Sequence, residues 1–136
     1  MNTIDPQFRC GTAKAIKELS IKFNYPCHKG MQDWAYEVAN PKDIENYFSS
    51  YKEETDEDKK FVLMEMMLQA LDEIENQEEF DKNWRILKPI INQDFYIHEY
   101  TIYYWCFWGY KESDCWEITL YIRELWKEIK NKCTTM

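Results

Sequence analysis

Apolar side chains recur at helical intervals along most of this chain. Ala13, Ile16, Leu19 and Phe23 fall on one face of a predicted helix beginning at Ala13, with Thr12 as its cap. Asn24-Tyr25-Pro26 ends it, because the residue before a proline avoids the α region. Gly30 precedes a short predicted helix, about Gln32 to Val38, that holds Trp34, Ala35 and Val38 on one side. Asn40-Pro41 is a start signal: asparagine caps, and proline fits the first helical position, where its missing N–H is not needed. Ile44, Phe48 and Tyr51 follow at i, i+4 and i+7, with Tyr47 alongside, so Pro41 to Glu53 is expected to be helical.

Thr55 reads as the next cap, with Asp58 three residues on in a near match to the capping box. Beyond it Phe61, Val62, Leu63, Met64, Met66, Met67, Leu68, Ala70, Leu71 and Ile74 leave only Glu65, Gln69 and Asp72 as a narrow polar stripe. A helix apolar over most of its circumference must be surrounded, so residues 59–75 are expected to form the centre of the fold. Asn76 or Asp81 opens a further helix, Glu78 to Ile91, with Phe80, Trp84, Leu87 and Ile91 on one face; Pro89 should kink it or end it early. The aromatic run from Phe95 to Trp108 has the composition of a strand. After Gly109, Ile118, Ile122, Leu125 and Ile129 keep helical spacing and Trp126 joins their face, which predicts a helix from Asp114 to Lys130 capped by Ser113.

These elements predict an all-α fold, one domain over residues 1–136 with about six helices around the apolar one. The alternative is an α+β fold with a hairpin in residues 95–122. Composition favours the helical reading: three glycines and four prolines are too few for the tight turns of a β-sandwich, and 45% hydrophobic residues fill a core. The N-terminal Met1-Asn-Thr-Ile-Asp-Pro6 has no basic stretch followed by an apolar run, so no secretory signal is expected. No window approaches a membrane span. Five irregularly spaced cysteines (Cys10, Cys27, Cys106, Cys115, Cys133) read as free thiols of a cytoplasmic protein.

Charge is unevenly placed. Residues 53–81 carry twelve acids against Lys59 and Lys60, a local −10 that exceeds the −8 of the whole chain. Such a surface repels the phosphate backbone, which argues against direct nucleic-acid binding; a basic protein is its natural complement. The acids group as Glu53, Glu54, Asp56, Glu57 and Asp58, then Asp72, Glu73, Glu75, Glu78, Glu79 and Asp81, one helix length further on. Together with Trp108, Tyr110 and Trp116, which lie where the chain reverses, these are the expected partner-binding residues.

Catalytic sets are incomplete. His98-Glu99 lacks the second histidine of a zinc-hydrolase motif, since Ile102 stands there. Cys27-His28 are sequence neighbours, which rarely aim side chains at each other, and no C-x-x-C exists to hold a metal. With three widely separated glycines there is no phosphate loop or dinucleotide fingerprint. Neither a catalytic residue, a metal nor a cofactor is expected.

The segments Ile44-Glu-Asn-Tyr-Phe, Asp58-Lys-Lys-Phe-Val-Leu-Met-Glu-Met-Met, Thr101-Ile-Tyr-Tyr-Trp and Ile122-Arg-Glu-Leu-Trp126 resemble small bacterial helical proteins encoded beside toxins. These are the immunity proteins of contact-dependent growth inhibition and other polymorphic toxin systems, and the resemblance covers residues 41–130. It implies a cytoplasmic inhibitor that plugs or masks a cognate toxin domain, often a nuclease. Because contact surfaces vary widely among such proteins, it assigns no residue a role. The competing readings are a helical adaptor or regulatory module unrelated to toxins, and an enzyme using His98 or Cys27.

Overall fold

The computed structural model describes residues 6–28, 31 and 33–134, with side chains to Lys132. Gly30 and Gln32, named above at the start of the short helix, lie outside the described residues, as does the side chain of Cys133. The fold is all-α: the described residues contain seven α-helices, two 3₁₀ turns and no strand, so the hairpin alternative is set aside. The helices are α1 (Ala13–Phe23), α2 (Trp34–Val38), α3 (Ile44–Glu53), α4 (Glu57–Asp72), α5 (Gln77–Gln93), α6 (Phe95–Cys106) and α7 (Thr119–Thr134). They form two compact units, Cys10–Leu87 and Lys88–Met136 with the segment up to Arg9.

In the first unit α1, α2 and α3 all pack on α4. Phe61, Val62, Leu63, Met64, Met66, Met67, Leu68, Ala70 and Leu71 are buried, so α4 is the surrounded helix its sequence requires. Its cap is Asp56 and not Thr55: the carboxylate accepts from Asp58 N at 2.8 Å and Lys59 N at 3.1 Å. A charged acceptor meeting two orphan N–H groups at the positive end of the helix outcompetes a hydroxyl one residue earlier. Thr12 caps α1 through Ala15 N at 3.1 Å, and α1 closes on Asn24, which takes the left-handed conformation that asparagine tolerates. Gly11 precedes that cap because a Cβ there would meet Val62 Cγ2 at 2.9 Å. Asn40 accepts from Lys42 N, and Pro41 opens a 3₁₀ turn, Pro41–Asp43, that leads into α3.

Asn76 opens α5, accepting from Glu79 N at 3.0 Å. Pro89 does not end the helix, which continues to Gln93. The proline and Arg85, whose carbonyl loses its partner, are both exposed, while Leu87 and Ile91 hold the opposite side in the interior.

In the second unit α6 packs on α7. Ile97, His98, Thr101, Ile102, Trp105 and Cys106 are buried with helical periodicity, and that burial overrides the strand-like composition. α7 begins at Thr119, five residues later than the sequence suggested, and Ser113 sits in a 3₁₀ turn, Glu112–Asp114, rather than at a cap. Between them Cys115 is extended and Trp116 packs against Trp105 and Phe107, each with centroids 4.7 Å apart. Helix formation before Ile118 would break those ring contacts. Ile118, just before α7, is buried, and Ile122, Leu125 and Ile129 form the buried face of the helix.

Candidate functional site

Both acidic clusters come from helix ends, where capping places carboxylates in solvent. At the α3–α4 corner Glu53, Asp56, Glu57 and Asp58 are exposed, and Glu54 is half-buried. Glu54 accepts from the N–H groups of Thr55 and Asp56, both at 3.1 Å, and faces Lys59 at 4.0 Å. Lys59 also reaches Glu18 at 3.7 Å, so one cation is shared between two acids. Lys60 lies over the Tyr51 ring at 5.3 Å. At the α4–α5 corner Glu73, Glu75, Glu78 and Glu79 are exposed, while Asp72 and Asp81 are half-buried. Gln69 donates to Glu73, and Gln77 donates to Asp81 at 2.8 Å, which orients both acids without neutralising them.

An open depression beside this corner is lined by Asn76, Glu78, Glu79, Asp81, Lys82 and Arg85. Every residue that lines it carries a polar or charged group, so it suits a broad polar contact. Twelve carboxylates in residues 53–81 face Lys59 and Lys60 within the segment and Lys82 and Arg85 just beyond it. At about 1.5 Å per residue, the 16 residues of α4 separate the two corners by about 24 Å. That is about three Debye lengths at physiological salt, so the corners act as two patches and not as one field.

The polar stripe of α4 includes a titrating carboxyl. Burial against α2 pushes Glu65 up to about 7; a hydrogen bond from Tyr36 opposes the shift and the nearby charge of Asp33 adds to it.

Elsewhere in the first unit, Asn40 N–H donates to the Tyr47 hydroxyl at 3.0 Å, Tyr47 and Tyr25 share a hydroxyl–hydroxyl bond, and Tyr25 donates to Asp43. With Tyr25 donating to the carboxylate, Tyr47 must donate to Tyr25. Burial raises both phenol pKa values, so they stay protonated and the chain of bonds locks α3 to the segment after α1.

The second unit concentrates aromatic rings. Tyr100, Tyr103, Tyr104, Phe107, Trp108 and Tyr110 line a pocket of about 290 Å³. Tyr104, Trp108 and Tyr110 are exposed, whereas Trp116 is half-buried. Phe107 unites Tyr110 and Trp116, with centroids at 4.0 and 4.7 Å. Phe107 also ends α6 in the left-handed conformation (φ 52°), which a bulky side chain rarely adopts. Arg123 of α7 holds it there. Its Nε donates to Cys106 O at 2.6 Å, and its Nη2 donates to Phe107 O at 2.7 Å and Tyr110 O at 3.1 Å. The same guanidinium lies 4.9 Å from the Trp108 ring centre, and Lys127 lies 5.8 Å from it. A cation is thereby placed on the carbonyls that a helix C-terminus leaves unsatisfied. Sequence reasoning missed Arg123, because backbone carbonyls sixteen or so residues away leave no signal in the residue pattern.

The residues considered for catalysis are not assembled. His98 is fully buried on α6, Cys27 and His28 are exposed in the segment after α1, and no group of three metal-ligating side chains occurs among the described residues. Burial pushes the Cys106 thiol up to about 12, against the charges of Arg123 and Lys127, so it is inert as a nucleophile. No helix among the described residues is long and apolar enough to cross a membrane. The chain matches no protein-family model, no curated protein and no solved structure.

Proposed function

We propose that the protein binds a basic protein partner through its acidic corners, and that it acts as an immunity-type inhibitor of a cognate toxin domain in the cytoplasm. One observation supports this reading above the others: residues 53–81 carry twelve acids against Lys59 and Lys60, and eight of those acids, Glu53, Asp56, Glu57, Asp58, Glu73, Glu75, Glu78 and Glu79, are exposed. A nuclease presents cations to hold phosphate, and a carboxylate-rich surface occupies the same field. The α4–α5 corner is the stronger landing site, because Glu78, Glu79 and Asp81 line an open polar depression and Glu75 beside them in sequence is exposed. Rigid helices on the buried α4 carry both corners, so little ordering cost accompanies binding.

The test is co-purification with the product of the neighbouring reading frame at stepped salt, alongside growth of cells expressing that product with and without this protein. The expected result is a complex that forms at low salt, weakens as salt rises and restores growth. Absence of a complex even at low salt removes the proposal.

A further inference from the structure

We propose that the cleft between the end of α1 and one face of α3 binds a free α-amino acid, whose carboxylate meets Lys22 and whose ammonium meets Glu53. The site lies within the first unit; it shares Glu53 with the α3–α4 corner but needs no protein partner. Lys22 and Phe23 of α1 line it on one side, and Asn46, Ser49, Ser50 and Glu53 of α3 on the other, around a hollow of about 380 Å³. The four α3 residues are spaced i, i+3, i+4 and i+7, which places them on one face over about 10 Å of helix. Both α1 and α3 pack on α4, so the buried helix holds the two walls.

Two observations mark this hollow as a ligand site. Ser50 is 4% exposed, and its hydroxyl is buried with no hydrogen-bond partner among the described residues. A buried hydroxyl left in that state is costly, and a helical serine has the option of bonding the carbonyl one turn back. Among the described residues, the side chains of Lys22, Asn46, Ser49 and Glu53 make no hydrogen bond or ion pair either. The depression at the α4–α5 corner differs: there Asn76 is engaged by Glu79 N–H and Asp81 by Gln77.

The lining selects the occupant. It holds one cation, Lys22, and one carboxylate, Glu53. A simple anion would face the carboxylate, and a simple cation would face the ammonium. An apolar ligand would strand the two hydroxyls and the Asn46 carboxamide, and a neutral polyol would leave both charges unmatched. A zwitterion meets both at once. Its remaining carboxylate lone pairs and N–H groups suit serine hydroxyls and a carboxamide, which both donate and accept.

The experiment titrates the full-length protein with L-glutamine up to the tens of millimolar, following the backbone amide resonances of residues 20–25 and 44–54. N-acetyl-L-glutamine, which lacks the ammonium, L-glutamine α-amide, which lacks the carboxylate, and glucose, a neutral polyol, are titrated in parallel. The expected result is a saturable shift with glutamine confined to those residues. Each blocked analogue should bind at least about threefold more weakly, the loss of one charged hydrogen bond in an open site. Glu53→Gln should abolish the discrimination against the acetylated analogue, and Lys22→Gln the discrimination against the amide. Ser50→Ala should weaken glutamine by a similar factor, whereas Lys52→Gln, exposed on another face of α3, should leave binding unchanged. Thermal unfolding of each variant separates loss of binding from loss of fold. The proposal is overturned by no saturable shift, by equal binding of the blocked analogues, by stronger binding of glucose, or by discrimination that persists in the folded Lys22→Gln and Glu53→Gln variants. No partner protein is present, so these outcomes leave the acidic corners to their own test.

Discussion

Replacing Glu65 by glutamine isolates the electrostatic cost of placing a carboxyl on the central helix. Folded, the group is held up to about 7, chiefly by burial, whereas its ordinary value is 4.5. The folded state therefore binds this proton more tightly than the unfolded chain does. Its contribution is fully present below pH 4.5, is eroded between pH 4.5 and 7, and is gone above 7. A shift of that size corresponds to about 3 kcal/mol between the two limits. Glutamine keeps the shape and an acceptor for Tyr36 while removing the charge. Urea unfolding followed by tryptophan fluorescence, at intervals from pH 4.5 to 8.5, measures both proteins. Other carboxylates titrate in both and cancel in the difference. Glu65→Gln should match the parent near pH 4.5 and exceed it by up to about 3 kcal/mol above pH 8. A stability difference that stays constant with pH, or a variant weaker at pH 8, would refute the reasoning.

Four further substitutions probe the frame. Gly11→Ala drives a Cβ to 2.9 Å from the buried Val62 Cγ2 and should cost about 1–3 kcal/mol in thermal unfolding. Asp56→Ala removes the α4 cap and should cost about 1 kcal/mol in urea unfolding, whereas Thr55→Ala should be nearly neutral. Arg123→Lys keeps the charge but cannot reach the carbonyls of Cys106, Phe107 and Tyr110 together. It should cost about 2–3 kcal/mol and shift the Trp108 indole resonance, whereas equal stability would mean the fork is dispensable.

Local chemistry made much of the fold readable in advance. Thr12 and Asn40-Pro41 mark helix starts because capping uses only neighbouring backbone groups, and α4 declares itself because so few of its positions tolerate water. The acidic excess is legible because charge can be counted. What escaped was set by distant partners. The start of α7 depends on Trp116 finding Trp105 and Phe107, and the passage of α5 through Pro89 depends on which side faces solvent. Glu65 looked like one member of a polar stripe; it titrates near neutrality because α2, some thirty residues earlier, covers it with Tyr36 and Asp33. The aromatic run is strand-like by composition, and burial of Ile97, His98, Thr101, Ile102, Trp105 and Cys106 on successive turns of α6 decided for helix.

The most direct measurement is the association rate with the neighbouring gene's product, from low to high salt, for the parent and for Glu75→Gln/Glu78→Gln/Glu79→Gln. Carboxylates that steer a cationic partner predict a parent rate that falls steeply with salt, and a triple variant that is slower at low salt but converges with the parent at high salt. A parent rate indifferent to salt, or a triple variant that associates as fast as the parent throughout, would contradict the account.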